Sequence, residues 1–165
     1  MTIHSTHPFA DPDPDPVRRL RGRVTGTVAL LTSEGAGLTV SSLMVAHGEP
    51  GRVLALVDPD SDLADAVERT GRAVVQLLSW SHRELADAFA GTAPAPGGPF
   101  RTGTFEDTAW GPRLADATSW AGTALESATE VGWSRLLTLR IEDLTVGDDD
   151  APLVHRRGRY VRPGA

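Results

Sequence analysis

The chain has 165 residues, 40% hydrophobic and 23% charged, the proportions of one globular domain large enough for a core of its own. A formal net charge of −6 argues against general nucleic-acid binding and points to small molecules or proteins as partners. No cysteine is present, which excludes disulfides, thiol catalysis and cysteine-ligated metals.

No stretch reaches the ~18 consecutive apolar residues of a membrane span, and the N-terminus lacks a basic-then-apolar signal pattern. A cytoplasmic address with no membrane partner is therefore expected. Residues 1–16 end in Asp11-Pro12-Asp13-Pro14-Asp15-Pro16, read as a flexible acidic lead-in to a domain over 17–162. Arg18–Thr32, with Val24 and Val28 to Leu31, reads as a buried strand entered through Gly22 and Gly26. Ser33–Gly37 turns the chain and Leu38–Val45 returns it as a hairpin partner. Alternation would put Thr39 and Ser41 on one face and Leu38 and Val40 on the other. Small hydroxyls beside a glycine turn suit a flat, uncharged, acceptor-rich ring such as a flavin. The same pattern also fits the solvated face of an ordinary hairpin.

Arg52–Val57 is a short apolar run. Asp58-Pro59-Asp60-Ser61 then reads as a helix entry with Asp58 at the N-cap and Pro59 at the first helical position. Leu63, Ala66 and Val67 carry helical spacing and Gly71 is the stop. Ala73–Ser79 is another buried strand, after which Ser81 and Glu84 form a capping-box pattern for a helix with Leu85 and Phe89 one turn apart and Gly91 at its end. Thr92–Gly111, rich in Pro, Gly and Thr, reads as a long loop. Ser119–Thr129 and Arg135–Val146 are strands, and a slip of alternation at Asp143 suggests a β-bulge. Leu153–Val161 is a final strand. The sum is a mostly β chain: a small antiparallel Greek-key barrel with two or three short helices.

Several residues invite chemistry. The run His155-Arg156-Arg157-Gly158-Arg159 gathers positive charge on an acidic chain, either as a guarded edge strand or as a partner for a ligand phosphate. Without aromatic residues interleaved among those arginines, no nucleic-acid partner is expected. Trp133 could stack on a ring or serve as a core or dimer-interface residue, and Trp80, Trp110 and Trp120 read as packing residues. The five histidines, His4, His7, His47, His82 and His155, show no metal-ligand spacing, so no metal is expected. There is no Gly-x-Ser-x-Gly nucleophile elbow, and Gly35-x-Gly37 lacks the third glycine of a dinucleotide fingerprint.

Taken in order, Gly37-Leu38-Thr39-Val40-Ser41-Ser42, the Ser61 helix entry, Val74-Val75-Gln76-Leu77-Leu78, Leu85-Ala86-Asp87-Ala88-Phe89-Ala90-Gly91 and Pro152-Leu153-Val154-His155-Arg156-Arg157-Gly158-Arg159-Tyr160 resemble the flavin reductase-like family. The resemblance implies an FMN-binding split barrel over roughly residues 17–162, usually a homodimer. It implies reduction of FMN or FAD by NADH or NADPH, with reduced flavin passed to a monooxygenase in many members. It places Thr39, Val40, Ser41 and Ser42 against the ring system and ribityl chain, and Asp58, Ser61 and Asp62 near the ribityl or phosphate end, with Phe89 nearby.

Three departures stand out. Asp58, Asp60 and Asp62 put negative charge where a phosphate is expected, each opposing it by about 0.3–1 kcal/mol. Ala88 stands where relatives often carry Arg. Gly132-Trp133-Ser134 replaces a Gly-Asp-His segment, so the catalytic candidates reduce to Ser134 and His155. The alternative reading is a flavin-binding or flavin-carrying module, or a dimeric interaction domain, with little or no turnover.

Overall fold

The computed structural model describes residues 15–149 and 151–162. The expected acidic lead-in over 1–16 therefore lies almost wholly outside the described residues. Its last two do have a role: Asp15 is the N-cap of helix α1 (Pro16–Arg23), its carboxylate accepting from the Val17 N–H at 3.0 Å, with Pro16 at the first helical position. This corrects the strand expected from Arg18. Four arginines within eight residues leave no apolar face to bury, and α1 has no buried side chain.

After the short β1 (Gly26–Thr27) come β2 (Ala29–Ser33) and β3 (Ala36–Val40), joined by a turn at Glu34-Gly35. Gly35 has φ 76° there, a conformation that costs glycine nothing. The strand expected over Leu38–Val45 breaks at Ser41-Ser42 and resumes as β4 (Leu43–Ala46). Strand β5 (Arg52–Val57) follows, its Val53, Ala55 and Val57 buried and its Leu54 and Leu56 half-buried.

Helix α2 (Asp62–Thr70) is capped by Ser61, whose hydroxyl accepts from the Ala64 N–H at 3.2 Å. Asp58 is not the cap: its carboxylate accepts from the Asp60 N–H at 2.9 Å, and its carbonyl accepts from the Ser61 hydroxyl at 2.7 Å. Gly71 ends α2 in the left-handed region as expected. Strand β6 (Arg72–Leu77) leads through a 3-10 turn to α3 (Arg83–Ala90), which ends at left-handed Gly91. The entry to α3 uses Ser79 and His82 rather than Ser81 and Glu84. His82 Nδ1 accepts from the Ser79 N–H at 2.9 Å, while its Nε2 lies 3.1 Å from Asp116.

The expected loop over 92–111 holds a 3-10 turn at Pro99–Thr102 and β7 (Phe105–Thr108), which pairs with β8 (Gly111–Leu114). Two twelve-residue strands, β9 (Trp120–Val131) and β10 (Ser134–Thr145), form the longest hairpin. The register skips Glu142, one residue before the slip seen at Asp143, and skips Glu126 on the facing strand. Finally, Leu153–Val161 is not one strand. It folds back as β11 (Val154–Arg156) and β12 (Arg159–Val161) around Arg157-Gly158, both at positive φ. That turn type needs left-handed residues at both central positions.

Seven strands form one antiparallel sheet in the order β3-β2-β6-β9-β10-β5-β4. Its two edge strands, β3 and β4, are consecutive in the chain and joined only by residues 41–42. A two-residue link cannot span a flat sheet of that width, so the sheet must roll up, and its seam falls at Ser41-Ser42. There the Ser42 carbonyl accepts from the Leu56 N–H at 2.9 Å. This is the expected mostly β split barrel.

The barrel interior is aliphatic: Ala29, Leu31, Val40, Val53, Val75, Leu137 and Leu139, with Leu63 and Val67 of α2 in the same cluster. A second cluster lies outside the sheet, where Leu30, Leu78, Leu85, Phe89, Leu114 and Leu153 pack beneath α3. Gln76, fully buried, links the two halves. Its Nε2 donates to the Leu30 carbonyl (3.0 Å) and Thr32 Oγ1 (3.1 Å), and its Oε1 accepts from the Leu114 N–H (2.8 Å).

Candidate functional site

A cleft of about 700 Å³ opens along the barrel seam, within the range of small-molecule sites. One wall is the seam itself, Leu38 to Met44, and the floor is apolar, made by Leu54, Leu56 and Leu136. Leu54 and Leu56 alternate with the inward residues of β5, so they necessarily face outward. The opposite wall comes from the ends of the domain: Arg18 and Arg21 of α1, Thr25, Gly26, and His155 and Gly158 of the β11–β12 hairpin. Asp58 is also in the lining.

The far wall is held by specific bonds. The Arg157 N–H donates to the Gly22 carbonyl at 2.6 Å, fastening the hairpin to α1. Gly26 and Thr27 of β1 pair with His155 and Val154. The Tyr160 hydroxyl donates to Asp87 Oδ1 at 2.7 Å, fastening the hairpin to α3. Burial, and then the adjacent Asp87 carboxylate, push the Tyr160 phenol well above its ordinary value of 10.0. A Cβ on Gly26 would stand 3.3 Å from the Ser41 carbonyl oxygen, so glycine keeps the two walls close.

The expected site residues divide. Ser41, exposed, and Ser42, half-buried, line the cleft, and among the described residues their hydroxyls bond to no other protein group. Val40 borders the cleft through its backbone while its side chain is in the barrel core. Thr39 does not share a free hydroxyl face with Ser41: its Oγ1 donates to the Ala86 carbonyl of α3 at 2.6 Å. Asp58 is in the lining, but Ser61 and Asp62 lie beyond it, committed to starting α2.

Phe89 is a core residue, stacked edge-on with Phe100 and Phe105. Gly37 serves that ring rather than a ligand, because a Cβ there would meet Phe89 at 2.6 Å. His155 is in the wall; Ser134 begins β10 outside the lining. Trp133 beside it is 93% exposed and so is no core residue.

Sequence reading missed Arg18, Arg21, Leu54, Leu56 and Leu136. A signal for the arginines existed in Asp15-Pro16, an N-cap followed by the preferred first helical residue. A signal for Leu54 and Leu56 existed in the unbroken apolar run of 53–57, and one for Leu136 in the adjacent Leu136-Leu137, each making both faces of a strand apolar.

A second, shallower cleft of about 630 Å³ lies among Glu34, Arg69, Arg72, Asp107 and Trp110. It contains none of the seam residues. Among the described residues no group of three or more His, Asp or Glu side chains could hold a metal ion, and no helix is long and apolar enough to cross a membrane.

The seam cleft suits a planar heterocycle: an apolar floor, two uncommitted hydroxyls at one edge, and cationic side chains at the other. A rolled antiparallel sheet split at such a cleft defines a split barrel. The chain belongs to the flavin reductase like domain family, whose sequence profile matches residues 21–164.

The chain is 24% identical over 153 residues to the 4-hydroxyphenylacetate 3-monooxygenase reductase component of Pseudomonas aeruginosa, covering 88% of this chain and 89% of that one. Its fold is that of flavin reductase PheA2 (TM-score 0.82, 21% identity, 93% of this chain and 99% of that one). It is also that of the NADH:FAD oxidoreductase SgcE6 of Streptomyces globisporus C-1027 (TM-score 0.81, 21% identity, 93% and 96%). The styrene monooxygenase flavin reductase of Pseudomonas putida S12 is similar too (TM-score 0.79, 22% identity, 92% and 99%).

Proposed function

We propose that this protein is an NAD(P)H-dependent flavin reductase that supplies reduced flavin to a partner monooxygenase. The observation that carries the reading is the cleft at the barrel seam, lined by Ser41 and Ser42, in a chain of the flavin reductase like family. The curated relative is itself the reductase component of a monooxygenase.

A bound flavin, FMN or FAD, supplies the two-electron acceptor for the hydride of NADH or NADPH. The protein's task is then placement. Ser41 and Ser42 hold the polar edge of the ring, while Leu54, Leu56 and Leu136 seat its apolar face and exclude water from it. Hydride transfer asks for alignment rather than for a side-chain acid or base. The histidine that Ser134 replaces is therefore not indispensable, and His155 in the cleft lining is not required as an acid. A homodimer fits the same face: Met44 is 65% exposed beside Leu54 and Leu56, and a second copy over it would close the cleft to solvent.

The test is a steady-state assay of NADH and NADPH oxidation against FMN, FAD and riboflavin, with flavin fluorescence titration and sedimentation alongside. Oxidation that depends on added flavin, by a protein that quenches flavin fluorescence, is the expected result. A protein that neither quenches flavin nor oxidises reduced nicotinamide in its presence would overturn the reading.

A further inference from the structure

We infer that Arg18 and Arg21 of α1, together with His155, form an anion-binding wall that takes the phosphate-bearing end of the nucleotide in the seam cleft. This rests on the reading of that cleft as the flavin site and assigns a polarity to it. A phosphate near the α2 entry would meet the carboxylates of Asp58, Asp60 and Asp62. The cleft lining itself holds two guanidiniums, Arg18 and Arg21, against one carboxylate, Asp58, with the His155 imidazole as a further polar group.

Arg21 is exposed and, among the described residues, pairs with no carboxylate. An unpaired guanidinium lining a cavity leaves its planar fork of donors available to a ligand anion. The wall is also fixed in place, since the Arg157 N–H to Gly22 carbonyl bond ties α1 to the hairpin that carries His155. Arginine here therefore meets the anion from a braced element, although α1 buries no side chain of its own.

The shared chemistry is a phosphate or pyrophosphate oxygen, belonging to FMN or FAD or to the reduced nicotinamide nucleotide. Riboflavin, FMN, NADH and reduced nicotinamide mononucleotide are titrated against wild type, Arg21→Gln, the double variant Arg18→Gln/Arg21→Gln, and Arg21→Lys. The substituted side chains are exposed, so the variants fold; circular dichroism checks this.

In wild type, FMN should bind more tightly than riboflavin by about tenfold or more, with the advantage shrinking as salt rises. In the double variant that ratio should fall towards one while riboflavin affinity holds, and Arg21→Lys should restore part of it. A collapsed FMN-to-riboflavin ratio assigns the flavin phosphate to the wall. An unchanged ratio with NADH weakened relative to the mononucleotide assigns the dinucleotide pyrophosphate. Unchanged values for both, in a wild type that binds riboflavin, overturn the inference alone; a wild type that binds no flavin overturns the function with it.

Discussion

Replacing Gln76 with leucine isolates what one buried amide does for this barrel. The two side chains are close in size, so the substitution opens little cavity and the cost is almost purely one of hydrogen bonds. Gln76 makes three of them, to the Leu30 carbonyl, to Thr32 Oγ1 and from the Leu114 N–H. Leu114 is 1% exposed, so its N–H is orphaned away from water when Oε1 is lost. An orphaned buried donor costs about 1–3 kcal/mol, and each of the other two bonds contributes about 0.5–1.5 kcal/mol net.

Allowing for the more favourable transfer of leucine from water, the expected loss is about 2–4 kcal/mol. For a chain of this length that lowers the melting temperature by roughly 5–15 °C. Scanning calorimetry and circular dichroism would read it, with flavin titration as control, since Gln76 does not line the seam cleft. Gln76→Glu should be worse at neutral pH and recover on acidification. It keeps the acceptor for Leu114 but aims a buried carboxylate at the Leu30 carbonyl, and the raised pKa of that carboxyl makes stability fall as pH rises. A melting point for Gln76→Leu within about 2 °C of wild type would show that the amide is not the strut described here.

Ser41→Trp should fill the seam and lower flavin affinity by more than about tenfold, or about 1.4 kcal/mol, with the melting temperature held because Ser41 is exposed and outside any strand; an unchanged titration removes the seam from the site. Gly122→Ala would place a Cβ 2.3 Å from Trp110 Cδ2. It should cost about 1–3 kcal/mol by overpacking, read by calorimetry and by a shift in tryptophan emission as Trp110 leaves Glu142. Tyr160→Phe should lose about 0.5–1.5 kcal/mol near neutral pH, where the bond to Asp87 is intact. Because the folded-state pKa of Tyr160 is raised, its contribution is complete below 10.0 and is lost as pH rises further. The urea-midpoint gap between wild type and variant should therefore hold constant up to about pH 10 and narrow only above it, and a gap that narrows below that pH would refute the sign.

The barrel was legible because its signals are local. The alternation in 135–141 and the apolar runs at 53–57 and 73–78 each fix a strand by themselves, and left-handed Gly71 and Gly91 end two helices where glycine alone is comfortable. The ends of the domain were not legible for the same reason. Nothing in Arg18 to Arg23 marks a buried face, since α1 has none, and only its cap distinguishes it from a strand. The turn at Arg157-Gly158 was hidden by an arginine at φ 54°, a conformation few arginines take. At the site, Thr39, Ser41 and Ser42 all line the cleft, but the Thr39 hydroxyl is committed to α3 and Phe89 lies in the core beneath that helix. Periodicity tells which way a side chain points and not what waits there.

The seat for the ring and the grip on its tail have different genetic addresses. The seat is written largely in one uninterrupted stretch, residues 38–44, whereas the grip is assembled from position 18 at one extremity of the domain and position 155 at the other. Substitutions at positions 18, 21 and 155 should therefore change the preference for a charged guest without touching the stretch that seats its aromatic portion, so the two properties can drift separately in descent.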